Sequence, residues 1–477
     1  MTVDFPLIER RLIKKRFLNL IRKSTLIYFG LPEYAVYLAS IPVGLYLPLV
    51  YSKDFGLSLT EVGLILMLAR ISDVITDPLI GALSDRTRGP FGRRKPCIAA
   101  GTALMMISAF QLFNPEALNQ LPLSRWYLLF WAVLLWLGWT MVNIPYYAWG
   151  AELSDDYNER TSITGWRQAF GFLGNVSVLF IPVLAGQITG YGSLPREGLT
   201  IIGSFALVAL PVLVTITLLK VKERNAYPHP RANPLVHLKG MLKNGSFMLL
   251  FVAFMLMSLG TGWGSATFML FATYVVKAEA WTQLILLGYF GANILALPFW
   301  LLLANRLGKK NTWLIGGILF VVVTPSFLAV GPGDLGTFFL CLAFYGIAGG
   351  SFGALSMSMK ADVIEIAARR SQENIAGAYI AVWSLGQKLV AALALGLALP
   401  ALELFGFDPS RVNDQAALDA LAYIYVVPPW IFYTIGVITM LRYPVNSARL
   451  NKLKLAFKRK DARKEISRTA SASSSAD

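Results

Sequence analysis

The feature that most constrains this chain is a succession of apolar runs, each about 20 residues long and placed almost end to end. About 20 apolar residues are what an α-helix needs to cross roughly 30 Å of hydrocarbon. Twelve such runs are centred near Gly44, Ile71, Met105, Leu137, Gly174, Val208, Leu259, Gly288, Gly316, Phe344, Leu389 and Tyr433. A water-soluble globule has no place for them. With 56% hydrophobic and only 15% charged residues and a mean hydropathy of +0.56, too few polar groups exist to cover a soluble surface of this size. Helices are expected, because each backbone amide in lipid must be satisfied within its own segment. The dyad alternation of a membrane barrel is absent.

Basic residues set the expected orientation. Arg10, Arg11, Lys14, Lys15, Arg16, Arg22 and Lys23 crowd the start, and basic residues recur in every second loop: Arg86 to Lys95, Lys220 to Lys243, Arg306 to Lys310, Arg369 with Arg370, and the tail from Arg442. Those loops are expected in the cytosol, and an even number of spans then puts both termini there. The net charge of +16 lies beside the spans, where lipid headgroups and insertion topology account for it; nucleic acid is not expected as a partner, and no protein partner is evident. The basic start precedes a span too long for a signal-peptide core, so it is expected to anchor rather than be cleaved. Leu7 to Lys23 suits a helix lying on the membrane surface, and the serine-rich end suits disorder. Cys97 and Cys341 fall in or beside spans and read as small core residues. His229 and His237 fall in the central loop, which argues against an intramembrane histidine site.

The chain repeats itself weakly. "GALSDRTRGPFGRRKP" after the second span answers "ANRLGKKN" after the eighth, and "GAELSDDYNERTSITGWRQ" after the fourth answers "KADVIEIAARRSQENIAGAY" after the tenth. The offset of six helices implies two six-helix bundles. The expected divisions are a basic segment 1–24, a first bundle 25–220, a central loop 221–245, a second bundle 246–441 and a basic tail 442–477. Duplicated bundles of this kind rock about a site near the bilayer midplane.

Within "ARISDVITDPLIGALSDRTRGPFGRRKP", Arg70, Asp73, Thr76 and Asp77 share one helical face, and Asp73 and Asp77 lie one turn apart, about 6 Å. A charge at the centre of a membrane helix costs about 2.5–3.5 kcal/mol on insertion scales, so three placed for packing alone would be an expensive choice. Two carboxylates and a hydroxyl suit a small hard cation, or a proton shared between the acids. Pro78 frees a backbone carbonyl one turn earlier, which bends the helix or adds an oxygen.

These motifs, with "FGLPEYA", "NIPYYAWGAELSDDYNERTSITGWRQAFGFLGN" and "AGAYIAVWSLGQKL", resemble the glycoside-pentoside-hexuronide cation symporter family of the major facilitator superfamily. The resemblance implies the major facilitator fold in an inner (plasma) membrane and cation-coupled transport of a sugar, glycoside or hexuronide by alternating access, with no cofactor beyond the coupling ion. It implies a site for the coupling sodium or proton at Asp73, Thr76 and Asp77 with Thr140 nearby, a sodium ion being held at Asp73 and Asp77. It also implies a substrate cavity shared by Glu33, Asn143, Arg167 and Lys388, joined by Tyr147 and by Trp263 or Trp383 as flat apolar faces. Arg167 and Lys388 are equally fit to receive an anionic solute. The chain departs from the family's best-known permease in having Pro32 for a basic residue, Asn143 for an acid and Thr76 for an asparagine. Asp85, Arg86, Arg93 and Arg94 resemble the superfamily's gate between spans two and three, to which Arg70 belongs as the pair's neutralising partner; Glu152, Arg160, Asp362 and Arg369 are the expected companion latches.

An enzyme would need a reactive constellation, and no HExxH, GxSxG or phosphate-cradling loop is present. A channel would dispense with paired latches. The competing reading is a carrier of a lysolipid or other amphiphile on the same fold, which needs a lateral apolar slot where a sugar site is closed to the bilayer.

Overall fold

The structure is a computed structural model that describes residues 22–117, 123–154, 156–190, 195–223, 240–371 and 375–445. The basic start, both histidines and the serine-rich tail fall outside the described residues. Within them the regular secondary structure is helical, and eleven helices are long and apolar enough to cross a membrane. The twelfth expected crossing, near Ile71, is the charged one: it is interrupted at Ser72 into α3 and α4, of 13 and 14 residues, and neither piece alone is long enough to span.

The chain forms two compact units, the first comprising Met1–Leu57 and Leu68–Pro228, the second Ser58–Met67 and His229–Asp477. The first contains α1 (Lys23–Leu45), α2 (Leu47–Lys53), the last turn of α3 (Leu59–Ile71), α4 (Asp73–Arg86), α5 (Lys95–Phe113), α6 (Arg125–Glu152), α7 (Tyr157–Thr189) and α8 (Pro195–Lys220). The second contains α9 (Gly245–Leu270), α10 (Thr282–Leu295), α11 (Leu297–Leu307), α12 (Lys309–Val323), α13 (Leu335–Ser371), α14 (Ala376–Leu404) and α15 (Gln415–Leu441). The opening of α3 packs in this second unit, where the Glu403 carboxylate accepts the Thr60 amide at 2.7 Å.

Local chemistry sets the ends and breaks. Ser124 Oγ accepts the Trp126 amide, Asn244 Oδ1 the Phe247 amide and Asp414 Oδ1 the Ala417 amide, three N-caps at entries into spans. Pro48 and Pro298 open α2 and α11 after the breaks at Tyr46 and Ala296. Gly92 and Gly308, at φ +96 and +82, turn the chain just before basic residues that begin α5 and α12.

Packing repeats between units. In the first, α1 packs on α7 and α8, α5 on α6 and α8, and α4 on α6; in the second, α9 packs on α14 and α15, α12 on α13 and α15, and α10 on α13. Small residues let the helices approach. A Cβ at Gly138 would lie 2.7 Å from Met105 N, one at Gly174 2.5 Å from Tyr34 O, and one at Gly346 2.4 Å from Tyr289 O.

Candidate functional site

In the first unit one face of α6 organises the buried charges. Trp136, Trp139, Thr140, Asn143 and Tyr147 recur at three- and four-residue intervals, so they form a single stripe. At one end of it, Arg70 at the close of α3 pairs with Asp73 at the start of α4, Nη1 to Oδ2, at 3.1 Å. Asp73 has no exposed surface. The Arg70 guanidinium lies over the Trp136 ring at 3.7 Å and near that of Trp139 at 5.2 Å, so its charge is met by a carboxylate on one side and by aromatic faces on the other. One turn further along α4, Asp77 Oδ1 accepts the Thr140 hydroxyl at 3.0 Å. Thr76 Oγ1 is buried and has no hydrogen-bond partner.

The stripe continues to a second charged group. Asn143 is fully buried; its Nδ2 donates to Trp139 O at 3.1 Å, and its Oδ1 is left without a partner. Tyr147 donates to Glu33 Oε1 at 3.1 Å, and Arg167 Nε lies 3.7 Å from Glu33 Oε2. Arg167 also stacks on the Tyr147 ring, 4.1 Å from its centroid. Glu33 is 1% exposed, and its Oε2 and Arg167 Nε sit beyond hydrogen-bonding reach of each other. Gly171 makes this possible: a Cβ there would lie 2.9 Å from Glu33 Cγ and 3.1 Å from the Tyr37 ring. Buried polar atoms without partners are costly, about 1–3 kcal/mol each, and their gathering at one stripe marks a place suited to further ligands.

Of the residues singled out from sequence, the structure therefore brings together Arg70, Asp73, Asp77 and Thr140, and separately Glu33, Tyr147 and Arg167, with Asn143 between the groups on α6. Lys388, Trp263 and Trp383 belong to the second unit. Trp263 donates its indole N–H to Ile424 O at 2.8 Å. Trp383 is fully buried among aromatic rings. Among the described residues no three His, Cys, Asp or Glu side chains gather as a metal cluster. The cysteines are buried and free. Sequence reasoning missed Trp136 and Trp139, whose signal was their register with Thr140 and Asn143, and Tyr37, one turn from Glu33.

The loop ahead of α5 forms a dense latch. Arg94 reaches Asp85 at 2.5 Å, Glu152 at 2.6 Å and Ser84 Oγ at 3.0 Å, and Arg93 reaches Glu152 at 2.7 Å. Burial alone would lower the Arg94 pKa, but the hydrogen bonds and charges of Glu152 and Asp85 outweigh it and hold the guanidinium above its usual value. The Glu223 carboxylate, just beyond α8, accepts the backbone amides of Arg93, Arg94 and Lys95 at 2.7, 3.0 and 2.8 Å. That places an anion at the open end of α5, where unpaired amides and the helix dipole favour one. Lys95 Nζ caps the other end of the pair, donating to Leu218 O at 2.6 Å.

The second unit has a sparser counterpart. Lys309 pairs with Asp362, and Lys310 donates to Leu441 O and Tyr443 O at 2.9 and 2.7 Å. The four expected companion latch residues each make a contact in these loops. Glu152 belongs to the Arg93–Arg94 latch itself, and Asp362 takes Lys309. Arg160 Nε donates to Ser154 O at 2.7 Å, and Arg369 pairs with Glu365 of its own helix at 3.3 Å. Arg86 is exposed.

Comparison with known proteins gives a consistent likeness. A family profile described as MFS/sugar transport protein matches residues 28–447. The chain is 25% identical to the putative glycoside/cation symporter YagG of Escherichia coli, over 84% of this chain and 88% of that one. It is also 25% identical to the sodium-dependent lysophosphatidylcholine symporter 1-B of Danio rerio, over 81% of this chain and 80% of that one. Among solved structures, the inward open conformation of the xylose transporter XylE from E. coli superposes with a TM-score of 0.61 at 16% identity, covering 91% of this chain and 98% of that one. At that identity the likeness is one of fold.

Proposed function

The chain belongs to the MFS/sugar transport protein family, and on that premise we propose that it carries a sugar or glycoside across an inner membrane in symport with sodium or a proton. It is a secondary symporter of the major facilitator type; the coupling ion, the solute and the topology are the proposed part. In this reading the α3–α4 pair supplies the twelfth crossing. Residues 25–220 and 246–441 form the two bundles, and both termini face the cytosol.

The observation that carries the reading is the α6 stripe, which joins two charged groups of different character. Asp73, Thr76, Asp77 and Thr140 offer hard oxygens, including the orphaned Thr76 hydroxyl, in a setting suited to a small cation. Glu33, Tyr147 and Arg167, with the free Asn143 carbonyl oxygen, offer donors and acceptors suited to ring hydroxyls. A cation at the first group changes the charge facing Arg70, whose guanidinium touches the α6 rings one turn from Asn143. Ion occupancy is thereby felt at the solute site, and coupling follows as a linkage between the two. The latch of Arg93, Arg94, Asp85 and Glu152 is the gate, closed in one access state and broken in the other.

The second reading, a lysolipid as solute, is supported by the fish relative's identity, which equals that of the glycoside symporter. Uptake into proteoliposomes decides between them. Purified protein is given radiolabelled glycosides and lysophosphatidylcholine under imposed sodium or proton gradients, beside Asp77→Asn. Gradient-driven glycoside accumulation that falls by about 100-fold in the variant is the expected result, since removal of a charged ligand from such a site costs about 2–3 kcal/mol. Lysolipid movement alone, or flux that ignores both gradient and variant, overturns it.

A further inference from the structure

The second unit holds a cation that the reading above does not use. Lys360 lies on α13, half-buried, with its Nζ 5.2 Å from the centroid of the Trp383 ring on α14. Among the described residues no carboxylate pairs with it. The acids nearest in sequence point elsewhere. Asp362, about 200° around the helix, takes Lys309, and Glu365, about 140° around, takes Arg369 at 3.3 Å.

Its neighbour has the complementary defect. Trp383 is 0% exposed, and its indole Nε1–H finds no acceptor. The ring is fixed by Phe254, Phe251 and Phe247 of α9 at 4.7, 5.8 and 6.3 Å, so the donor cannot turn to seek one. An ammonium over the ring face and a buried N–H on the same ring are thus both donors, and neither has an acceptor among the described residues. A cation in a low-dielectric wall that meets an aromatic face and no carboxylate is costly, and an ionisable side chain within a span marks a solute or ion path unless it is paired. One ligand group removes both defects: an anion with two or more oxygens, one to face the ammonium and one to accept from the indole.

We infer that Lys360 and Trp383 form an anion-recognition site for a carboxylate or phosphate borne by the transported solute. The inference rests on the transporter reading and narrows it, because a site of this kind favours an acidic sugar or a phosphorylated amphiphile over a neutral glycoside.

The test measures binding to the purified full chain by titration calorimetry in a non-ionic detergent, and uptake in vesicles of phosphatidylcholine alone. The probes are two matched pairs: methyl glucuronide with methyl glucoside, and lysophosphatidylglycerol with monoacylglycerol. Lys360→Gln is expected to weaken one anionic probe about tenfold and its neutral partner less than about twofold, with Lys360→Arg restoring most of the loss. Trp383→Phe, which keeps the ring and deletes the N–H, weakens the same probe by about threefold. Whichever anionic probe responds identifies the source of the anion as sugar carboxylate or lipid phosphate. Equal losses for charged and neutral probes overturn the site, as does indifference of both anionic probes to Lys360→Gln. So does an effect that appears only when phosphatidylglycerol is added to the vesicles, since the anion is then a bilayer headgroup. Anion binding without gradient-driven uptake leaves the site standing and removes the transporter reading; uptake indifferent to Lys360→Gln does the reverse.

Discussion

The two units pair their helices in the same order and fill them with different chemistry. In the first, the buried polar groups are charged: Glu33 with Arg167, and Arg70 with Asp73, strung along α6. In the second, the middle is aromatic. Tyr345 and Tyr433 share a hydrogen bond, Phe320 lies against both rings at 4.8 and 4.9 Å, and Tyr425 stacks on Phe271 at 4.3 Å. The same contrast runs through the loops, where Arg94 engages three side chains and Lys309 engages Asp362. Helix pairing depends on small residues at crossings, such as Gly138 and Gly346, and is indifferent to what fills the rest of the interior. The two halves can therefore share an architecture while filling their interiors with different chemistry.

The contrast breaks or sharpens at named residues. The largest separation is expected between Glu33→Gln and Tyr433→Phe: the first leaves Arg167 buried without its counter-charge and lowers gradient-driven uptake by about 100-fold, the second by less than about threefold. Comparable losses would mean that the Tyr345–Tyr433 pair carries the chemistry too. Next come the loops. Arg94→Gln strands Asp85 and Glu152 together and is expected to slow uptake by about tenfold, against about threefold for Lys309→Gln, read as initial rates at equal protein density. The smallest effect concerns single hydroxyls. Thr140→Ala removes the donor to Asp77 and raises the cation concentration needed for half-maximal uptake by about threefold. Thr267→Ala, whose hydroxyl binds its own helix at Trp263 O, leaves that concentration unchanged.

Much of this was legible in the residues. Apolar run length marked eleven spans among the described residues because hydrocarbon thickness admits few solutions. Asp73 and Asp77 stood out because charges in a span are expensive. What escaped is what depends on neighbours from another helix. Trp136 and Trp139 look like ordinary membrane tryptophans until Arg70 is seen lying across them. The bond from the Trp263 indole to Ile424 O likewise carries no signal in a linear reading. The Arg70-bearing stretch read as one span, whereas Ser72 divides it. Glu223, three residues past α8, carried no signal at all, since nothing in a linear reading says which helix end a lone carboxylate will cap.

Glu223 also determines how the chain can be divided. Its carboxylate gathers three consecutive amides some 128 to 130 positions upstream, so the short exit from α8 is structurally part of the first unit. A protein expressed as two complementary fragments would keep the α5 end intact with the cut placed after Glu223. A cut a few residues earlier, at Lys220, would hand the carboxylate to the wrong fragment and leave three amides and a cluster of arginines to find another anion.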